Sequence, residues 1–228
     1  MTDKEIFEAL VTKIQHRIPG FEIGYKNENF ISKLLGVLCY LFNPNYMTEF
    51  TTTRYPKVFF PTREFVEKDY RSAWKILAHE YVHLWDRKQR GWGFNIAYAS
   101  PQMWAVLALS ALLAIWLSNW WLLGLVALLA ALPLPSPGRR DAELRGYTMS
   151  MAVNHWRYGD VQDSTKDWVV GYFTGSSYYF MWPFHENMRK RLYAAEAKLD
   201  DKTIFDWPNS ETFKEVHQLL LDSGYASS

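Results

Sequence analysis

Two histidines and a glutamate in segment 77–85 have the types and spacing needed for metal-assisted hydrolysis. His79 and His83 are four residues apart, and Glu80 follows the first of them. On a helix, residues four apart share one face, so both imidazoles could bind one ion while Glu80 removes a proton from an attacking water. The motif H-E-x-x-H therefore predicts a reaction as well as a metal.

The residues around the motif predict the helix that this chemistry requires. At 3.6 residues per turn, one side of the predicted helix is apolar and consists of Trp74, Leu77, Ala78, Tyr81, Leu84 and Trp85. The opposite side carries Ser72, Ile76, His79, His83 and Asp86. A helix that packs by one side and presents ligands from the other suits a metal site. The alternative is a histidine pair on a solvated face.

Catalytic zinc usually has three protein ligands and one open position, so a third ligand must come from elsewhere. A histidine six residues after His83, preceded by a glycine, is excluded because Asp86 and Gln89 occupy those two positions. The first suitable later segment is a predicted helix at 139–150, where Glu143 is the candidate. The alternative for Glu143 is a surface glutamate near a helix start, where its charge suits the helix dipole.

Two further side chains are candidates for stabilising a transition state. Tyr147 shares a helix face with Glu143, and its phenol could donate a hydrogen bond to a developing oxyanion. His155 is a weaker candidate for an auxiliary donor of the same kind, since it could equally be a surface histidine.

With His79, Glu80, His83 and Glu143 in place, the chain resembles the gluzincin class of zinc metallopeptidases. The resemblance implies a zincin-like α+β fold, Zn²⁺ as cofactor, and Glu80 as general base and proton shuttle. The chain departs from the class at Tyr147, where many gluzincins have an aspartate that supports a zinc-bound histidine. Asp86 could take over that support, because metal-bound imidazoles usually need such a partner. Alternatively, Asp86 pairs with a base such as Arg90.

An uncharged segment separates the two halves of the predicted site. No Asp, Glu, Lys or Arg occurs in 91–138, and the central part, 103–132, is almost wholly apolar. If His79, His83 and Glu143 bind one ion, the chain must leave and return on the same side of a bilayer. Ser118 and Asn119 then form the tip of a helical hairpin. Arms of thirteen to fifteen residues reach roughly 20 to 22 Å as α-helices, short of the ~30 Å hydrocarbon core.

Basic residues flank the hairpin on both sides and place both of its ends at the cytoplasmic face under the positive-inside rule. They are Arg87, Lys88, Arg90, Arg139 and Arg140. The layout resembles that of HtpX-like membrane peptidases in topology only, since the N-terminal spans of those proteins are absent here. The alternative is a hairpin buried in the protein core or in an oligomer interface.

Composition and length predict one ordinary domain with this insertion. The 228 residues are 49% hydrophobic, and the net charge of +1 argues against a nucleic-acid partner. The domain is predicted to be mainly α with a small β-hairpin or sheet, formed by residues 1–90 and 139–228, with the hairpin at 91–138. Helices are expected at about 3–18, 29–42, 186–199 and 209–221, with the motif helix beginning between 64 and 70 and ending at 91, and extended segments are expected at 47–54 and 57–60.

Three functions remain open from the sequence. The first is a zinc metallopeptidase at the cytoplasmic membrane surface, acting on a peptide or protein and contacting lipid through 103–132. The second is a non-enzymatic, membrane-anchored structural or assembly protein whose metal is structural or absent. The third is a soluble metallopeptidase whose hairpin forms an oligomer interface. The aromatic segment 172–184 could line a substrate cleft, meet the membrane interface or belong to the core.

Overall fold

The protein is mainly helical with a small three-stranded sheet. A computed structural model describes residues 1–40 and 44–226, without the side chains of Leu38, Cys39 and Ser177. The α-helices are α1 (Asp3–Arg17), α2 (Phe30–Cys39), α3 (Arg63–Lys68), α4 (Tyr70–Arg90), α5 (Trp92–Ala99), α6 (Pro137–Tyr158), α7 (Asp163–Thr174), α8 (His185–Asp200) and α9 (Glu211–Asp222). The last part of the helix predicted at 29–42 lies outside the described residues.

The motif helix is central, and its ends follow from local chemistry. The motif helix is predicted to begin between Glu64 and Tyr70, and it begins at Tyr70 because the chain breaks at Asp69, whose carboxylate accepts from the Ser72 N–H (3.0 Å) and starts α4. Gly91 ends α4 with φ +57°, and three basic residues in the last turn suit the helix dipole.

The apolar face of α4 is buried, and its polar atoms bond to acidic residues of two neighbouring helices. Trp74 donates through Nε1 to Asp3 of α1 (3.0 Å), and the Tyr81 hydroxyl donates to Glu215 of α9 (2.6 Å). The Arg17 guanidinium of α1 also pairs with Glu215, so α9 packs on both α1 and α4. These bonds fix the rotation of α4 about its axis, and with it the direction of the histidine face.

The second ligand-bearing helix, α6, lies antiparallel to α4. Lys75 bonds to Asn154 (3.0 Å), and Asp86 pairs with Arg145 (2.9 Å), so rising numbers in α4 meet falling numbers in α6. Pro137 stands at the start of α6, and Gly159 ends the helix with φ +75°.

The sheet has the strand order β1-β3-β2, with β1 (Glu22–Tyr25), β2 (Thr52–Arg54) and β3 (Lys57–Phe60). Strands β2 and β3 form the predicted antiparallel pair, with Thr52 opposite Phe59. The sequence did not predict β1, which pairs with β3 in parallel. Within the described part of the chain, β2 has one unpaired edge.

The uncharged insertion divides into a helix that packs on the body and a hairpin that does not. Helix α5 contributes buried Phe94 and packs against α6. The two arms, Gln102–Ile115 and Asn119–Ala131, are 3₁₀-helices rather than the expected α-helices, and neither contains a buried residue. The chain turns by 86° between α5 and the first arm.

The two feet of the hairpin are joined at the surface of the body. The Ser136 hydroxyl donates to the Ser100 carbonyl, and the Ser136 N–H donates to the Met181 carbonyl (2.9 Å). The chain therefore leaves the body and returns to it at nearly one point.

In the described ranges, no single helix has the length and apolar character to cross a membrane. The bent pair formed by α5 and the first arm does meet those two criteria when taken together.

Candidate metal centre

Helices α4 and α6 bring the three predicted ligands together. His79 Nε2 lies 3.1 Å from His83 Nε2, and Glu143 Oε2 lies 3.6 Å from the first atom and 3.8 Å from the second. Three atoms at these separations have an equidistant point about 2.0 Å from each, the length of zinc–imidazole and zinc–carboxylate bonds. These three side chains therefore form a possible metal-binding triad.

The buried atoms of this triad lack other partners. Glu143 and His83 are buried, and neither Glu143 Oε2 nor His83 Nδ1 has a hydrogen-bond partner in the described structure. Burial alone would lower the pKa of His83, but the charge of Glu143 raises it to about 9. Burial alone would raise the pKa of Glu143, but the two histidines hold it well below its usual range. A cation in the same place would satisfy these groups without the proton.

Three residues of α6 position the ring of His79. Its Nδ1 is 3.3 Å from the Ser150 hydroxyl, and its ring stands nearly perpendicular to that of Tyr147 with centroids 4.9 Å apart. A Cβ added at Gly146 would lie 2.5 Å from His79 Nε2. Glycine is required here because α6 passes too close to the imidazole for any side chain.

Glu80 and the ligands face a cavity of about 630 Å³. One wall is the segment 51–55, which includes β2, and another is formed by α5. The Thr53 hydroxyl donates to Glu80 Oε2 (2.6 Å) and holds the carboxylate at the cavity wall. A carboxylate beside two imidazoles in a space this large can exchange protons with a small bound molecule.

The structure corrects both interpretations of Asp86. The residue is buried and pairs through Oδ2 with Arg145 Nε (2.9 Å), rather than with Arg90, and it makes no hydrogen bond to His83. Arg145 also donates to the carbonyls of Pro208 (3.0 Å) and Asn209 (3.1 Å). Asp86 therefore joins α4, α6 and the segment before α9.

The roles predicted for Tyr147 and His155 also need correction. The Tyr147 hydroxyl lies 3.2 Å from that of Tyr178, outside the cavity wall, and burial raises the pKa of Tyr147. Tyr147 thus packs against His79 instead of facing a substrate. His155 lies more than three turns along α6 from Glu143, with Nδ1 3.6 Å from Asp200, and it does not line the cavity. Its position gives no support to a role at the site.

Several cavity residues were not predicted as part of the site, among them Tyr98 and Arg139, whereas Tyr178 belongs to the aromatic segment that could line a substrate cleft. The Tyr98 hydroxyl of α5 donates to Glu143 Oε1, and Tyr178 and Arg139 also line the cavity. Tyr98 carries one of the few polar groups in the uncharged segment, which was the available signal for it. Of the aromatic segment 172–184, Tyr178 reaches the cavity and Phe173 belongs to the core, whereas Phe180 and Phe184 are exposed.

No protein-family model, curated protein or solved structure matches the chain. The function of the site is therefore inferred from its geometry and chemistry.

Proposed function

We propose that the protein is a zinc-dependent peptidase of the gluzincin type. The observation that carries the proposal is the approach of His79 Nε2, His83 Nε2 and Glu143 Oε2 to one another beside Glu80, at a cavity wall. Two imidazoles and one carboxylate form a donor set of catalytic zinc sites, whereas magnesium and calcium favour oxygen ligands.

Each residue of the site then has a role. Zinc, when bound, supplies Lewis-acid chemistry that acidifies water and polarises a carbonyl group. Glu80 accepts the proton of the attacking water and transfers it to the leaving amine. Thr53 orients Glu80, and Tyr98 orients Glu143 through its hydrogen bond to Oε1.

The unpaired edge of β2 is the proposed binding site for an extended peptide. Residues 51–55 line the cavity, and β2 pairs only with β3 within the described residues. A peptide added along this edge would gain backbone hydrogen bonds that are independent of its sequence. The Thr53–Glu80 bond places the general base next to that edge. These contacts favour peptide binding at the edge of β2 over a purely structural role for the β2–β3 pair.

We further propose that the hairpin inserts into a bilayer and holds the site at the cytoplasmic face. Its apolar side chains are exposed, including Trp116 and Trp120 near the tip at 83% and 79%. At the 3₁₀ rise of ~2.0 Å per residue, arms of 14 and 13 residues reach about 28 and 26 Å, closer to the hydrocarbon thickness than α-helices would.

Replacement of Glu80 by Gln tests the reaction. The variant keeps the three ligands, so we expect unchanged zinc content but hydrolysis of an unstructured protein such as casein reduced about 10²- to 10⁴-fold. The matched control is Glu64→Gln, because Glu64 is an exposed residue of α3 away from the cavity. Atomic absorption measures the metal and mass spectrometry measures the products. Full activity of Glu80→Gln would overturn the mechanism, and stoichiometric zinc without any hydrolysis by the unaltered protein would favour a structural metal.

Membrane insertion is tested by flotation with vesicles and by extraction. We expect the protein to float with vesicles and to resist alkaline carbonate. A variant in which a short Gly/Ser linker replaces 102–132 should lose both properties. If carbonate releases the unaltered protein as a defined oligomer, the hairpin is an interface between copies of the chain and the membrane proposal fails.

A further inference from the structure

Two arginines flank the metal ligands, one on each ligand-bearing helix. Arg87 lies one turn after His83 on α4, and Arg139 lies one turn before Glu143 on α6. Both line the cavity. The two helices therefore place a guanidinium beside the site on either side of the candidate ligands.

Neither arginine has a carboxylate partner in the described structure, and the Nε of each is buried without a hydrogen bond. Three other arginines of the body are paired with carboxylates: Arg145 with Asp86, Arg140 with Asp141 and Arg17 with Glu215. Glu143 acts on Arg139 through its charge, but its Oε1 accepts from Tyr98 and its Oε2 faces the histidines, and neither Glu143 nor Glu80 forms an ion pair with either arginine in the described structure.

Aromatic rings hold both guanidiniums at the cavity. Arg87 lies over the rings of Tyr55 (5.5 Å) and Trp92 (4.9 Å), and Arg139 lies over those of Tyr98 (5.4 Å) and Tyr178 (5.5 Å). Aromatic faces stabilise a partly desolvated cation but leave its N–H donors free. These two side chains are thus preorganised to bind an anion.

We propose that the cavity selects peptides that carry a carboxylate close to the cleaved bond. This inference rests on the proposed peptidase function. A guanidinium binds a carboxylate through two parallel hydrogen bonds, which are strong where water is excluded. One helical turn is about 5.4 Å and an extended peptide advances about 3.4 Å per residue, so the carboxylate lies about one to three residues from the cleaved bond. It is either an Asp or Glu side chain or the terminal carboxylate of the peptide.

A peptide series distinguishes the two sources. One parent peptide is made with Glu or Gln at each of three positions on either side of the cleaved bond, and with a C-terminal acid or amide. We expect kcat/KM to be about 10- to 100-fold higher when one particular carboxylate is present. Dependence on a Glu position identifies the side chain, and dependence on the acid end group identifies the terminus.

Substitution of Arg87 and Arg139 tests whether these side chains cause the preference for a carboxylate. Arg87→Gln and Arg139→Gln should each reduce the preference in kcat/KM for the carboxylate peptide, mainly through KM. Arg139→Lys should keep part of that preference because the charge remains. Arg90→Gln is the matched control, since it removes the same charge from an exposed position of α4 outside the cavity. If Arg139→Gln does not fold, Arg87→Gln still provides the test.

Binding measured without turnover separates this proposal from the peptidase function. The zinc-loaded Glu80→Gln variant should bind the carboxylate peptides more tightly than the neutral ones, with the same dependence on Arg87. Cleavage without any carboxylate preference would overturn the selectivity and leave the peptidase function intact. If the carboxylate peptides bind preferentially but the unaltered protein cleaves none of them, the selectivity stands and the peptidase function is wrong. If Arg87→Gln reduces flotation with anionic vesicles and leaves peptide preference unchanged, the arginine binds lipid and the proposal is wrong.

Discussion

Apolar side chains are buried in the body of the protein but exposed in the hairpin. In α4, side chains such as Trp74, Leu77 and Leu84 are fully buried, whereas the two arms are more apolar in composition and bury nothing. Burial of apolar surface stabilises a fold only where it removes that surface from water. The body therefore buries its apolar side chains within the chain, whereas those of the two arms stay largely exposed.

Polar groups show the same division. Several buried side chains of the body bond to partners from distant parts of the sequence, as in the pairs of Trp74 with Asp3 and Tyr81 with Glu215. The hairpin has few polar side chains, and Ser118 bonds only to the backbone of its own tip. The site belongs to the body, where networks of this kind keep ligands in place. The hairpin joins the body at its two feet, and α5, which precedes its first arm, lines the cavity.

A matched pair of leucines gives the largest expected difference between the two regions. Leu77→Ala in α4 should lower the free energy of unfolding by about 2–5 kcal/mol, because Leu77 is fully buried. Leu109→Ala in the first arm should change it by less than about 0.5 kcal/mol, because Leu109 is 62% exposed. Denaturant unfolding followed by circular dichroism measures both values. Equal losses would show that the hairpin is part of the folded core.

Removal of the third ligand should have the next largest effect. Glu143→Ala leaves two histidines without the carboxylate that meets them, so zinc affinity should fall more than about 100-fold, beyond the loss typical of a residue behind a ligand. Competition with a zinc-binding dye measures the affinity. Stoichiometric zinc retained at unchanged affinity would exclude Glu143 as a ligand. Asp86 and His155 do not face the two histidines but pair with Arg145 and Asp200.

A substitution at Gly146 separates metal binding from stability. Gly146→Ala would push the His79 ring away, and we expect zinc affinity to fall about 10- to 100-fold. The control is Gly171→Ala in α7, where an added Cβ meets nothing within 4 Å. That change should leave zinc affinity intact and stabilise the helix by about 0.5–1 kcal/mol. Similar zinc affinities for the two variants would contradict the close approach of α6 to His79.

The smallest expected effects are changes with pH. The stability of the metal-free protein should fall as the pH rises, whereas the affinity for zinc should rise. Because the pKa of His83 is raised from 6.5 to about 9, its contribution to metal-free stability is complete below pH 6.5 and is lost as the pH rises to 9. Zinc needs neutral His83, so below pH 9 uptake should release a proton, and affinity should rise up to tenfold per pH unit. Calorimetry in buffers of different ionisation enthalpy measures the release. Uptake without proton release at pH 7 would contradict the pKa of His83.

Local pattern in the sequence was enough to predict the elements that carry the ligands. Glu143 follows from the need of catalytic zinc for a third protein ligand, whereas the two faces of α4 follow from helical periodicity, which depends on spacing along the chain. The same is true of the β2–β3 pair and of α8 and α9. The start of α4 at Tyr70 lies at the end of the predicted range 64–70, but the separate short helix α3 was not distinguished, because Asp69 caps a new helix within a segment that otherwise looks continuous.

Contacts between distant segments could not be predicted in this way. The parallel pairing of β1 with β3 and the bond from Tyr98 to Glu143 depend on how helices and sheet pack, which periodicity does not encode. Asp86 illustrates the limit, since its helix face was predicted correctly but its partner, Arg145, is 59 residues away. The 3₁₀ form of the arms was also unexpected, because long runs of that helix are uncommon.

The hydrogen bond between Ser100 and Ser136 makes the length of the hairpin nearly independent of the rest of the protein. Both feet are fixed to the body, so residues added to or deleted from the arms leave the points of attachment in place. Doubling the number of residues in a flexible loop costs only about 0.6 kcal/mol. Arms of other lengths can therefore replace these without any adjustment of the helices that carry His79, His83 and Glu143.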